Sequence, residues 1–166
     1  MSKNKEKLIS SIRANVEEYW NKYNKIEFNQ SNPRINLHEP TFGADEVMAM
    51  MEVMLSTRVT MGPKVLSFER EIADYFGISE AITNNSGSSA NLLAIAALTN
   101  PATKNGLKAG DEVIVPALSW STTVWPLIQH NLVPVFVDID PETLNIDPYA
   151  IKEAITEKTK ALMIVQ

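Results

Sequence analysis

Near the start of the chain, Leu8, Ile9, Ile12, Val16, Tyr19, Trp20 and Tyr23 fall on one face of a helix, with lysines and glutamates on the other. The next stretch, Ile26 to Pro40, holds Asn29, Ser31-Asn32-Pro33 and Glu39-Pro40, the chemistry of an extended linker with turns. Residues 1–34 therefore read as a satellite helix and linker that packs on a neighbouring surface. Two more amphipathic helices follow. Ala44 to Leu55 gathers Val47, Met48, Met51, Met54 and Leu55 on its apolar face, and Lys64 to Phe76 gathers Val65, Phe68, Ile72 and Phe76. Gly77 is placed to end the second of these as a C-cap. Between them Thr60-Met61-Gly62-Pro63 is a break, where the glycine permits an unusual backbone and the proline starts the next helix.

From Ile78 the pattern changes to short apolar runs alternating with helical ones. The strand candidates are Ala81-Ile82-Thr83, Glu112 to Val115, Val133 to Val137 and Ala161 to Val165. Ser88 to Leu98, Ser121 to His130 and Pro148 to Ile155 read as the helices between them. Continuous apolar strands separated by helices predict a mostly parallel sheet covered by flanking helices, an α/β architecture with an N-terminal helical extension. There is no internal repeat and no low-complexity tract.

Composition narrows the class. The 166 residues are 45% hydrophobic and 21% charged, with a formal net charge of −5, which fits a folded protein and not a disordered one. The acidic balance argues against a general nucleic-acid binder. Zero cysteines exclude disulfides, thiolate metal sites and cysteine nucleophiles. No secretory leader is visible, and no run approaches the ~18 apolar residues of a membrane span, so a cytoplasmic protein is expected. The last residues, Ala161 to Gln166, form an apolar run that reads as cut, so we expect the front part of a longer domain.

Ligands of open α/β sheets bind outside the carboxyl ends of the strands. After the first strand candidate comes Asn84-Asn85-Ser86-Gly87-Ser88-Ser89-Ala90-Asn91. Gly87 allows a tight turn, and Ser88 and Ser89 add hydroxyls to the free N–H groups of a helix start. Such a helix start is either an anion site suited to a phosphate or an ordinary serine N-cap. The helix is nearly all apolar, which predicts that it is buried. It is neither a Walker loop nor a dinucleotide fingerprint. After the second strand, Trp120 either stacks on a flat ring or covers the core, and Trp125 reads as a core cover. Asp138, Asp140 and Asp147 read as turn and cap residues rather than as a metal or acid–base set. The only histidines, His38 and His130, stand far apart. Five methionines between Met48 and Met61 favour core or subunit-interface packing. Lys104 and Lys108 lie in a polar loop without the surroundings of a catalytic amine.

Three runs taken together carry a resemblance: Ser86-Gly87-Ser88-Ser89-Ala90-Asn91-Leu92-Leu93-Ala94, Gly110 to Trp120, and Pro134-Val135-Phe136-Val137-Asp138-Ile139-Asp140. They resemble the DegT/StrS-type sugar aminotransferases, pyridoxal-phosphate enzymes of the aspartate-aminotransferase fold (fold type I). Thr60-Met61-Gly62-Pro63 and the helix carrying Phe68-Glu69 also fit. The resemblance implies that residues 35–166 are the N-terminal portion of the large, pyridoxal 5'-phosphate-binding domain. It implies Gly87, Ser88 and Ser89 as contacts to the cofactor phosphate and Trp120 as the aromatic on the pyridine ring. Thr60 and Gly62 are implied near the substrate. The substrates implied are a nucleotide-linked keto sugar and an amino donor, in a homodimer serving polysaccharide or antibiotic sugar synthesis.

The family's lysine that holds the cofactor, and the aspartate that pairs with the ring nitrogen, match no position of this sequence. A subset, the sugar 3-dehydrases, has histidine in place of the lysine and removes a hydroxyl. The Gly87–Asn91 run and the extra helix look like that subset, whereas Trp120 looks like the aminotransferases. Transamination is the leading expectation, with dehydration the alternative. A non-catalytic phospholigand-binding module, or an interaction domain using the Met-rich helix, are the readings from other classes.

Overall fold

A computed structural model of the chain describes residues 3–24, 28–39 and 41–165. Ile26 and Pro40, which bound the expected linker, and Gln166 lie outside the described residues. The chain divides into two compact units, residues 1–80 and 81–166.

The first unit is helical. Helix α1 (Lys3–Tyr23) turns Ile9, Ile12, Val16 and Trp20 partly inward, while Leu8, Tyr19 and Tyr23 of the expected face stay exposed. It lies on α2 (Ala44–Leu55), held by Arg13, whose guanidinium meets Asp45 at 2.8 Å and Glu52 at 3.5 Å. Trp20 and Phe42 close the other end of the contact, with ring centroids 5.5 Å apart. On α2 only Met48 is fully buried; Met50, Met54 and Leu55 face outward. Helix α3 (Pro63–Phe76) begins with proline and ends on Gly77, whose φ of 65° is the left-handed cap that glycine adopts without strain. Gly62, in contrast, has an ordinary extended backbone (φ −126°), so the expectation of an unusual conformation there is corrected. A β-carbon at Gly62 would make only ordinary contacts with the Thr60 and Arg58 carbonyls.

The second unit is built on a three-stranded parallel sheet in the order β2-β1-β3, formed by β1 (Glu112–Pro116), β2 (Val133–Val137) and β3 (Thr159–Leu162). Strand β1 is central, and Val113, Ile114 and Val115 are all within 1% of complete burial. All five β1 residues pair in register with β2. The Val133 N–H donates to the Asp111 carbonyl at 2.9 Å, so odd positions of β2 face β1. Pro134, which has no N–H, then faces the outer edge, where a proline costs no ladder bond. Strand β3 spans Thr159–Leu162 and not the expected 161–165, its start set by the Glu112 N–H, which donates to the Lys158 carbonyl at 2.9 Å, beside Glu112 Oε2, which accepts from Thr156 Oγ1 at 2.6 Å.

One face of β1 packs Val113 and Val115 against Ile95 of α4 (Gly87–Leu98), Leu127 of α5 (Trp125–Gln129) and Leu132. Helix α6 (Pro148–Ala154) packs on β2. Its cap is the expected one, with Asp147 Oδ1 accepting the Tyr149 N–H at 2.8 Å ahead of Pro148. The Asp138 and Asp140 carboxylates likewise accept the Ile139 and Glu142 N–H groups, each at 2.8 Å.

Three expectations are corrected here. Ala81-Ile82-Thr83 forms no strand, and Ile82 is 73% exposed. A strand exists only by pairing, and both edges of β1 are already taken by β2 and β3. The α4 helix is buried only at Ile95; Leu92, Leu93 and Leu98 on its outer side are exposed. The helix expected over Ser121–His130 is broken into a 3₁₀ turn, Ser121–Thr123, and α5. Pro126 explains the break, because it removes the N–H that the Thr122 carbonyl would accept in a continuous helix.

In α2, Glu46 Oε2 accepts the Gly43 N–H at 2.6 Å. That bond holds its carboxyl below the ordinary value of 4.5. A depressed folded-state value means that the contribution is complete above the unfolded value and is lost as pH falls through the folded one. We predict that Glu46→Gln lowers the urea midpoint at neutral pH, and that the gap to the unsubstituted chain closes at a pH well below the ordinary 4.5. A gap that is the same at both pH values would refute the assignment.

Candidate functional site

The expected phosphate-binding residues meet at the start of α4. Ser86 is its N-cap in extended conformation, and its Oγ accepts the Ser89 N–H at 3.1 Å. The Ser86 hydroxyl in turn donates to Ser89 Oγ at 3.2 Å. Sequence reasoning named Ser88 and Ser89 and missed Ser86, although a serine three residues ahead of another polar residue is the ordinary N-cap signature. The cap occupies the Ser89 N–H. The N–H groups of Gly87 and Ser88 are left without a protein partner among the described residues, at the positive end of the helix dipole.

Gly87 has no left-handed backbone, so the tight turn expected of it is corrected. What it provides is space. A β-carbon there would meet no atom within 4 Å, and a ligand can therefore reach the main chain. Beside it a groove of about 280 Å³ is lined by Ser88, Ser89, Leu92, Thr122, Trp125 and Pro126, together with Gln129. The open N–H pair, the two hydroxyls and the open space above Gly87 fit an anionic oxygen cluster such as a phosphate.

Trp120 stands at the carboxyl end of β1, at the head of the 3₁₀ turn, and is 73% exposed. Its carbonyl accepts the Thr123 N–H at 2.9 Å. Thr123, only 5% exposed, has its hydroxyl 2.7 Å from that of Ser119, which closes the turn on itself. Trp125 is 57% exposed and lines the groove, so it does not cover the core as expected. The buried residues of that segment are its neighbours Pro126 and Leu127. The indole that lines the groove beside the serine-rich helix start is thus Trp125, which sequence reasoning did not assign to the site.

Thr60 and Gly62 belong to the other unit. They line a separate cavity of about 830 Å³ with Glu52, Arg58, Lys64 and Ser67. At the opposite end of the second unit's sheet, His130 and Lys108 line a polar cavity of about 630 Å³. There Thr99 Oγ1 donates to the Ile95 carbonyl at 2.8 Å and stands 2.9 Å from His130 Nδ1. Among the described residues, no helix is long and apolar enough to cross a membrane.

The chain is similar to known proteins over most of its length. A GDP-4-keto-6-deoxy-D-mannose 3-dehydratase of Yersinia pseudotuberculosis is 50% identical over 129 residues, which are 78% of this chain and 33% of that protein. The L-glutamine:2-deoxy-scyllo-inosose aminotransferase of Streptomyces lividus is 39% identical over 133 residues, 76% of this chain and 29% of that protein. Among solved structures, the E. coli GDP-4-keto-6-deoxy-D-mannose-3-dehydratase with bound hydrated PLP superposes with a TM-score of 0.71 at 48% identity. That match covers 78% of this chain and 33% of the solved one. The chain thus spans about a third of the length of the relatives it matches. Residues 40–166 match the DegT/DnrJ/EryC1/StrS aminotransferase family as a whole, and the chain belongs to that family.

Proposed function

We propose that this chain supplies the phosphate cup and the aromatic wall for pyridoxal 5'-phosphate in an enzyme acting on nucleotide-linked keto sugars. One observation carries the reading: the unpartnered N–H groups of Gly87 and Ser88, under open space, share a helix start with two serine hydroxyls and a groove walled by an indole. In this reading Gly87, Ser88 and Ser89 hold the phosphate, and Trp120 lies on the ring face. The helix dipole and two to three hydrogen bonds, each contributing about 1 kcal/mol net, hold the anion. Stacking on an indole adds a similar amount. When bound, the cofactor supplies an electron-withdrawing ring that stabilises negative charge on a substrate carbon.

None of the residues lining the groove is lysine or histidine. In the same reading the segment binds and orients the cofactor, and its covalent or acid–base partner comes from elsewhere. Thr60 and Gly62 are assigned to substrate contact, which their place on a cavity with Arg58 and Lys64 supports. An amino donor and a homodimer belong to the same reading, and the outward-facing Met50, Met54 and Phe68 are consistent with a subunit interface.

Transamination was the leading sequence expectation. The comparisons favour dehydration as the second reading, because the relatives at 48–51% identity bearing a reaction name are 3-dehydratases. An aminotransferase relative stands at 39%. With a nucleotide-linked 4-keto-6-deoxy sugar and glutamate, the dehydratase reading predicts a product that has lost one hydroxyl. Mass spectrometry showing an amine in place of the keto oxygen would instead support transamination.

The cup itself is tested by Gly87→Ala. Because the added methyl meets no protein atom and alanine favours the helix, thermal stability is expected to hold or rise slightly. Affinity for pyridoxal phosphate should fall about tenfold as the methyl enters the anion's space. Ser88→Ala should weaken it about fivefold. Unchanged affinity in both variants would refute the cup.

A further inference from the structure

Beyond its serines, α4 carries a single polar side chain, Asn91, in a run otherwise made of alanine, leucine and isoleucine. Asparagine is a poor residue for a helix interior because its amide competes with the backbone. Here the amide has a long-range partner. Asn91 Nδ2 donates to the Thr122 carbonyl at 3.3 Å, across 31 residues, in partly buried surroundings.

The carbonyl is available for a reason written in the sequence. In a continuous helix it would accept the N–H four residues on, and that residue is Pro126. The proline breaks the helix, and the asparagine of a different helix takes up the freed acceptor. Thr122 lies in the 3₁₀ turn headed by Trp120, which the Trp120–Thr123 and Ser119–Thr123 bonds make rigid. One bond therefore fastens that turn to the helix whose start bears Gly87 and Ser88.

We propose that Asn91 is a positioning residue: acting through the Thr122 carbonyl, it sets where the indole of Trp120 stands relative to the anion-binding start of α4. The inference rests on the cofactor reading given above and adds a determinant to it. A ligand with a phosphate end and an aromatic end needs these two groups at a fixed separation. A phosphate alone does not.

The test compares two probes, inorganic phosphate and pyridoxal phosphate, on the full chain and on Asn91→Ala and Asn91→Asp. Alanine keeps the helix, and aspartate keeps the shape while lacking the donor. Affinity is followed by calorimetry, and ring placement by the circular dichroism induced in the cofactor's absorption band. Both variants should bind inorganic phosphate within about twofold of the unsubstituted chain. Both should bind pyridoxal phosphate about fivefold more weakly and lose most of the induced dichroism. Adding Pro126→Ala to Asn91→Ala supplies a main-chain N–H to the same carbonyl from within its own segment, with no tie to α4, and should leave the signal lost.

Unchanged dichroism and cofactor affinity in both asparagine variants would overturn the proposal, as would an equal loss for both probes, which marks a purely structural role. Recovery of the signal by Pro126→Ala would also overturn it, because the carbonyl would then need only a donor and not a tie to α4. If the unsubstituted chain binds phosphate but induces no dichroism in the cofactor, the cofactor reading falls and this inference with it.

Discussion

The second unit depends on the burial of β1. Three successive residues, Val113, Ile114 and Val115, are removed from water on both faces of the sheet while parallel partners occupy both of the strand's edges. Burying each such side chain contributes about 1.5–3 kcal/mol, and elsewhere among the unit's described residues only Leu127, packed on this strand, is as completely enclosed. That constraint fixes the strand's carboxyl end, and with it the place where Pro116 and the residues after it leave the sheet. It also fixes α4 from below, since Ile95 packs on the same core as Val113 and Val115. The serine-rich helix start and the aromatic turn are thus both placed by one buried strand.

Positions left open by the core are closed by polar groups. Ser86 caps one of the three N–H groups at the start of α4 and leaves two. Asn91 takes the carbonyl that Pro126 leaves without a donor, and Thr123 reaches Ser119 from a buried position. No buried side-chain nitrogen or oxygen among the described residues lacks a partner. The unpartnered groups that remain at the head of α4 lie at the surface, where a ligand can meet them.

Much of this was legible in the sequence. The periodicity and caps of α2 and α3 set their limits nearly to the residue, because those signals are local: Gly77 and Pro63 act on their own backbone. Strands β1 and β2 were legible as short apolar runs between helices. Ala81-Ile82-Thr83 looked like a strand by the same test and is not one, since pairing depends on neighbours that a local pattern does not report. Trp120 was readable as a candidate from its place after β1, whereas the strand expected ahead of the serines does not form and their candidacy rests on the helix start alone. The groove-lining position of Trp125 was not readable, because it follows from the break that Pro126 imposes. Gly87 and Gly62 were read as backbone devices, whereas space rather than dihedral freedom distinguishes Gly87. Its role therefore concerns what approaches the chain.

The central claim is that the head of α4 and the Trp120 turn form one site for a phosphate joined to an aromatic ring. Amide and indole chemical shifts, followed by NMR as inorganic phosphate and then pyridoxal phosphate are added, test it most directly. The account predicts that phosphate moves the amides of Gly87 and Ser88 most, and that pyridoxal phosphate moves the same amides and the Trp120 indole. Shifts centred on the cavity of Lys108 and His130, or a Trp120 indole untouched by a cofactor that moves Gly87, would contradict it.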